Sequence, residues 1–258
     1  MLSKIYERLM TNRIVSFFNK HSLFSDKQYG FLKGRSTQDA LMNFTENIYD
    51  AIDSYEHNIS ILIDLKSAFD TVNHSILLSK LELYGIRGVP LRWMESYLSD
   101  RKFYVSLNGS NSSEKILNIG IPQGSILGPL YFIIYNNDLP KVSNILSTTL
   151  FADDTNFSVS NKNYQNMTSI LNLELKKIKD WTTANRLTIN ASKTELILFT
   201  NRQANATNND IFLDDVSVSY QDNARFLGVM IDKNLNFKVH IDTVNMKVSK
   251  HAGILFKI

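Results

Sequence analysis

Leu150-Phe151-Ala152-Asp153-Asp154-Thr155-Asn156-Phe157 is the stretch from which the fold is read. Ile145 to Thr149 precede it, and Ser158 and Val159 follow. Both flanks are rich in β-branched and apolar residues, so the acidic pair is expected at the turn of a β-hairpin. Two adjacent carboxylates at a tight turn repel each other. A hard divalent cation such as Mg²⁺, which prefers oxygen ligands, would relieve that repulsion. An ordinary Asp-rich turn explains the tetrapeptide equally well. The rest of the chain decides between them.

Working outward, residues 2–20 read as an amphipathic helix with Ile5, Leu9, Ile14 and Phe17 or Phe18 inward. Residues 25–36 are a loop punctuated by Gly30 and Gly34. Ser36 or Thr37 can cap a helix running to about residue 55. Residues 59–65 form a buried-type strand ending near Asp64. Helices are expected over 74–84, behind an Asn73 cap and closed by Gly85, and over 90–98. Strands at 103–107 and 115–118 would be joined through Asn108-Gly109. A glycine-bearing loop, 120–125, leads into an apolar helix over 126–137. Beyond the hairpin come a long helix at 163–184, with Ile170, Leu171, Leu175, Ile178 and Trp181 inward, and strands at 194–199, 216–220 and 226–231. Residues 201–210 and Asp214-Asp215 read as loop and turn, and a last helix starts near His240 and runs to the end. Helices interleaved with antiparallel hairpins give the α+β class.

The composition is globular: 258 residues, 43% hydrophobic and 21% charged. Cysteine is absent, which excludes disulfides and cysteine-ligated zinc. No secretory signal or membrane-spanning run is visible, so an intracellular protein in cytoplasm or nucleus, without membrane partners, is expected. Net charge is only +3. Residues 1–40 carry seven Lys/Arg against three Asp/Glu, and residues 233–258 carry five Lys against one Asp. Basic ends around an acidic middle suit a polyanion passing a metal site, though solvated helices have the same look.

Asp64, Asp153 and Asp154 all stand at ends of apolar strands. Carboxylates gathered in that way are what two-metal phosphoryl transfer needs, with the ions about 3.5–4 Å apart. The remaining motifs come in a telling order. They are Gln28-Tyr29-Gly30-Phe31-Leu32-Lys33-Gly34-Arg35-Ser36-Thr37, Asp64-Leu65-Lys66-Ser67-Ala68-Phe69-Asp70, Gly120-Ile121-Pro122-Gln123-Gly124-Ser125, Phe151-Ala152-Asp153-Asp154, Leu187-Thr188-Ile189-Asn190 with Lys193, and Phe226-Leu227-Gly228. With these, nearly the whole chain resembles the reverse transcriptase domain of non-LTR retrotransposons, most of all the jockey type.

That resemblance implies a right-hand polymerase. Residues 1–58 would be partial fingers, 59–232 the palm with 85–119 on the finger side, and 233–258 the start of a truncated thumb. It implies RNA-directed DNA polymerase activity, with Mg²⁺ (or Mn²⁺ in its place), an RNA template, a DNA primer and dNTPs. Asp64, Asp153 and Asp154 would be the metal-binding catalytic carboxylates. Phe69 would lie under the incoming sugar and reject a 2′-hydroxyl. Arg35 and Lys33 would meet the triphosphate, Gln123 and Gly124 the nucleotide and template, and Lys193 the pyrophosphate. Phe226, Leu227 and Gly228 would grip the primer. The competing expectation is a catalytically inactive transposon fragment or captured nucleic-acid-binding domain, favoured by a chain shorter than the family's usual length.

Overall fold

The computed structural model describes residues 2–202, 211–213 and 216–255. The seven α-helices among them are α1 (Leu2–Lys20), α2 (Thr37–Asp53), α3 (His74–Leu83), α4 (Val89–Leu98), α5 (Leu127–Tyr135), α6 (Tyr164–Ala184) and α7 (Lys238–Leu255). The strands are β1 (His57–Ile63), β2 (Arg101–Phe103), β3 (Ser106–Leu107), β4 (Ser110–Asn111), β5 (Lys115–Leu117), β6 (Ser147–Phe151), β7 (Asp154–Asn161), β8 (Glu195–Phe199), β9 (Phe212–Leu213), β10 (Val216–Ser217), β11 (Asn223–Phe226) and β12 (Val229–Asp232).

One four-stranded antiparallel sheet, in the order β6-β7-β1-β8, organises the rest. β1 is buried along its whole length between two neighbours, which accounts for the uncharged run Asn58-Ile59-Ser60-Ile61-Leu62-Ile63. Ile59, Ile61 and Ile63 point into the main core with Phe157, Val159, Leu171 and Leu175. Leu62, Ile197 and Phe199 point the other way, onto Phe44 and Ile48 of α2 and Phe226 of β11. Both faces are therefore covered, and the acids lie at the sheet's end rather than on an open face.

α5 is apolar all round, and eight of its residues are buried, as expected of a helix through the middle of a core. Lys80 of α3 ties helices together from inside. Its Nζ donates to the Tyr135 carbonyl and to Asp138 and lies 5.1 and 4.9 Å from the rings of Tyr135 and Trp181. Ser36 caps α2 in a reciprocal box with Asp39, and Asn73 caps α3.

Several expectations are corrected. On α1, Ile5 and Leu9 are exposed, while Glu7 is buried with Ile14 and Phe18, because a polar contact described below turns that face inward. On α6, Met167 and Glu174 join Leu171, Leu175 and Ile178 inside, and Ile170 and Trp181 are only half-buried. Residues 103–118 make two hairpins instead of one. Asn108-Gly109, both at positive φ, turn only β3 into β4, and β2 pairs with β5 outside them. The 226–231 strand is the hairpin β11–β12, bent at Leu227 and Gly228. At 216–220 only Val216–Ser217 form a strand, paired with β9. Asp214-Asp215, residues 203–210 and residues 256–258 lie outside the described residues.

Candidate active site

β1 delivers Asp64 to the end of the sheet, one residue past Ile63. Ile63 pairs with Thr155, so Asp64 arrives beside the β6–β7 turn. Phe151 pairs with Asp154, leaving Ala152 and Asp153 as the turn itself. The acidic pair is thus divided: Asp153 is in the turn and Asp154 opens β7. Asp153 and Asp154 reach solvent, and Asp64 is half-buried.

Crowding by the surrounding chain raises the pKa of Asp153, and the charge of Asp64 adds to it against an opposing backbone hydrogen bond. Asp154 is raised by the same desolvation first, then by Asp153 and Asp64. Three carboxylates therefore share one field. Among the described residues no three Asp, Glu or His side chains close into a ready-made metal cage. The trio is near enough to repel and too open to enclose an ion unaided.

Asp64 is oriented by a neighbour. Asn190 Nδ2 donates to its Oδ2 at 2.9 Å, and the Asn190 backbone N–H donates to its carbonyl at 2.8 Å. Lys66 N–H donates to the Thr188 carbonyl, so residues 188–190 clip onto 64–66 beyond the sheet.

The turn is held from behind. Ala152 has φ +59°, a left-handed conformation that costs a non-glycine residue about 1–2 kcal/mol. Gln28, fully buried, accepts from Ala152 N–H at 3.1 Å and from Gly30 N–H at 2.8 Å through Oε1. Asn136, also buried, donates through Nδ2 to the Ala152 carbonyl at 2.8 Å. Gly30 backs onto the turn so closely that a Cβ there would sit 2.5 Å from Ala152 N.

Phe69 stacks on Phe132, with centroids 4.5 Å apart, and meets Phe31 edge-on at 6.5 Å. The 120–125 loop lies along it. Ile121 N–H donates to the Phe69 carbonyl, and Gln123 Nε2 donates to Asp70 at 3.0 Å. α1 holds the loop's far end, since Lys4 Nζ donates to the Gly124 carbonyl and Ile126 N–H donates to the buried carboxylate of Glu7, each at 2.6 Å.

Arg35 donates through Nη1 to the carbonyls of Ser25, Asp26 and Gln28, bracing its own loop. Lys33 and Lys193 are exposed. Phe226 is core, packed 5.3 Å from Phe44, while Leu227 and Gly228 form the β11–β12 bend. Gln28, Asn136, Asn190 and Glu7 were not singled out by sequence reasoning. Gln28 and Asn190 lie inside quoted motifs, but nothing in the sequence signals which polar side chains turn inward.

Residues 1–231 match the model of the family "Reverse transcriptase (RNA-dependent DNA polymerase)". The chain belongs to the reverse transcriptase family. It is 30% identical over 98% of its length to a probable RNA-directed DNA polymerase from transposon X-element of Drosophila melanogaster. It is 31% identical over 93% to one from transposon BS, and 28% identical over 94% to that of mobile element jockey, both from the same fly. This reverse transcriptase chain spans only 28%, 27% and 27% of those relatives' lengths. Among solved structures, telomerase from Candida tropicalis with a fragment of telomeric RNA superposes with TM-score 0.58 at 14% identity, covering 92% of this chain and 37% of that one. At that identity the likeness speaks for the right-hand fold alone.

Proposed function

We propose that this chain is the catalytic core of a non-LTR retrotransposon reverse transcriptase, adding dNTPs to the 3′-end of a DNA primer on an RNA template. The meeting of Asp64, Asp153 and Asp154 at one end of the β6-β7-β1-β8 sheet carries this reading. Residues 59–232 serve as palm with 85–119 toward the fingers, 1–58 as fingers, and the segment from 233, with α7, as the root of the thumb.

The donor set fits a divalent cation: hard carboxylate oxygens only, held in mutual repulsion that a cation relieves. When bound, Mg²⁺ would activate the primer hydroxyl and neutralise the triphosphate. Asp64, Asp153 and Asp154 would hold it, with substrate phosphates completing the shell that the protein leaves open. Asn190 keeps the Asp64 carboxylate aimed. Gln28 and Asn136 keep the turn rigid so that Asp153 and Asp154 need no reorganisation. Phe69, wedged against Phe132, presents a fixed ring to the sugar. Gln123 and Gly124 line the nucleotide and template side. Exposed Lys33 and Lys193 are free to swing toward phosphates, and Arg35, braced through Nη1, would meet the triphosphate with the rest of its guanidinium. Leu227 and Gly228 form the primer-facing bend, with Phe226 as its buried root.

Primer extension on an RNA template with Mg²⁺ and dNTPs at low salt, beside Asp153→Asn, tests this. Incorporation that disappears in the variant is expected. A folded chain that binds primer–template and incorporates nothing would instead be a catalytically inert nucleic-acid-binding domain.

A further inference from the structure

α1 carries apolar residues on two sides. Ile14 and Phe18 are buried in the core, while Tyr6, Leu9 and Met10 line a groove of about 520 Å³ on the helix's outer side. Tyr6, Met10, Arg13 and Phe17, all lining it, are spaced i, i+4, i+7 and i+11. The groove therefore follows α1 for about three turns, or about 16 Å. Its opposite wall is the turn after α3 and the start of α4, chiefly Ile86, Val89 and Trp93. None of the roles above uses it.

Apolar surface gathered in this way and left facing water marks an interaction site. Leu9 is 52% and Val89 69% exposed. Trp93 is held by stacking on Tyr97, with centroids 5.5 Å apart, and so offers a fixed ring of the kind that anchors an interface. The charge is one-sided. Arg13 and Arg87 line the groove, both exposed, and neither side chain has a hydrogen bond or ion pair among the described residues. Glu7, which could have balanced them from the same helix, is buried and accepts from the Ile126 N–H instead. Among the described residues no acid lines the groove.

Length and lining select the occupant. An elongated groove between two helices matches a third helix laid into it, with apolar anchors at i, i+4 and i+7. Two unpaired arginines call for carboxylates on that helix, since the guanidinium fork pairs with them bidentately. A nucleic-acid strand would meet mainly aliphatic walls, where bases gain little from stacking.

We propose that the α1–α4 groove docks an amphipathic helix of a protein partner, its apolar face laid along Leu9, Met10 and Trp93 and its acidic residues paired with Arg13 and Arg87. The proposal does not depend on polymerase activity.

The test uses the full 258-residue chain and a fluorescein-labelled, stapled helical peptide of about 15 residues, with leucines at i, i+4 and i+7 flanked by glutamates. A twin peptide carries lysine in place of each glutamate. By anisotropy at low salt, the acidic peptide is expected to bind at least about fivefold tighter than its twin, and added salt should shrink the difference. Arg13→Glu combined with Arg87→Glu should invert the preference, and Leu9→Asp should abolish binding of both peptides. All three positions are exposed, so these variants leave the core intact, which melting curves check. Equal affinity for the two peptides, binding that survives in folded Leu9→Asp, or no binding by the folded parent overturns the proposal. Displacement of the acidic peptide by a short oligouridine would give the groove to nucleic acid. Self-association of the parent that Leu9→Asp abolishes would give it to a second copy of this chain. Either result overturns the proposal as well.

Discussion

The side-chain oxygen of Gln28 accepts the backbone N–H of Ala152 across 124 residues of sequence. The 25–36 loop is thereby fastened to the turn that carries the acidic pair. Replacing Gln28 with Ala strands the Ala152 and Gly30 N–H groups in a buried place. The expected loss is about 1–3 kcal/mol. Urea unfolding should show it as a lower midpoint at unchanged slope, and faster exchange of the Ala152 amide should localise it to the turn.

Gly30 and Gly34 separate two kinds of glycine requirement. A Cβ at Gly30 collides with the Ala152 backbone at 2.5 Å, while at Gly34 it meets nothing within 4 Å but must sit at φ +81°. Gly34→Ala should cost about 1–2 kcal/mol from conformation alone. Gly30→Ala should cost more, because backbone rather than a side chain must move. Equal melting temperatures for the two variants would refute the close approach.

Asp153 and Asp154 make stability depend on pH with a definite sign. The folded-state pKa values of Asp153 and Asp154 lie above their ordinary values, so the folded chain takes up protons more readily than the unfolded one. Their repulsion therefore weighs on the fold at neutral and mildly alkaline pH and is relieved as pH falls through the folded pKa. Asp153→Asn should melt higher than the parent at about pH 8, and the gap should narrow toward about pH 5. Mg²⁺ should raise the parent's melting temperature more than the variant's. A gap that widens on acidification would contradict the arrangement.

Asn190 acts on Asp64 and touches no proposed substrate. Asn190→Ala should reduce turnover or metal affinity about 10–100-fold, in the manner of groups that orient a metal ligand. The distinguishing readout is the Mg²⁺ dependence: half-maximal activity should move to higher Mg²⁺ while affinity for primer–template stays constant. An unchanged Mg²⁺ profile with a lowered melting temperature would reduce Asn190 to a structural clip.

Glu7 anchors the Ile126 N–H, and through it the loop bearing Gln123 and Gly124. Glu7→Ala should lose about 1–3 kcal/mol and raise the apparent KM for dNTP, whereas Glu7→Gln keeps an acceptor and should recover most of both. Failure of Gln to rescue would shift the weight to the charge felt by Lys4.

The fold was legible wherever a long periodic pattern or a cap marked it. Ser36 or Thr37 before α2, Asn73 before α3, and the uncharged run of β1 fixed their elements to within a residue or two. Short strands were not, because two-residue ladders such as β3–β4 carry no period. The 103–118 segment was misread for that reason. At the site, the acids were visible because charges interrupt apolar strands. Their supports were not: Gln28 and Asn190 are polar residues in polar-looking loops, Asn136 stands at the end of an apolar helix, and only the tertiary approach of distant segments gives them their partners. Arg35 adds a role that its charge does not signal: its Nη1 braces its own loop through three carbonyls.

The order of strands, β6-β7-β1-β8, also governs how the molecule comes into being. β1 leaves the ribosome with neither neighbour, and its first partner, β7, is made only about a hundred residues later. At about 5–20 residues per second, that leaves a strand destined for full burial unpaired for roughly 5–20 s. Non-local pairing of this kind also slows folding itself. Asp64 thus waits beside a bare edge until the segment containing Asp153 and Asp154 closes over it, so the candidate site cannot assemble before the β6–β7 turn has been made.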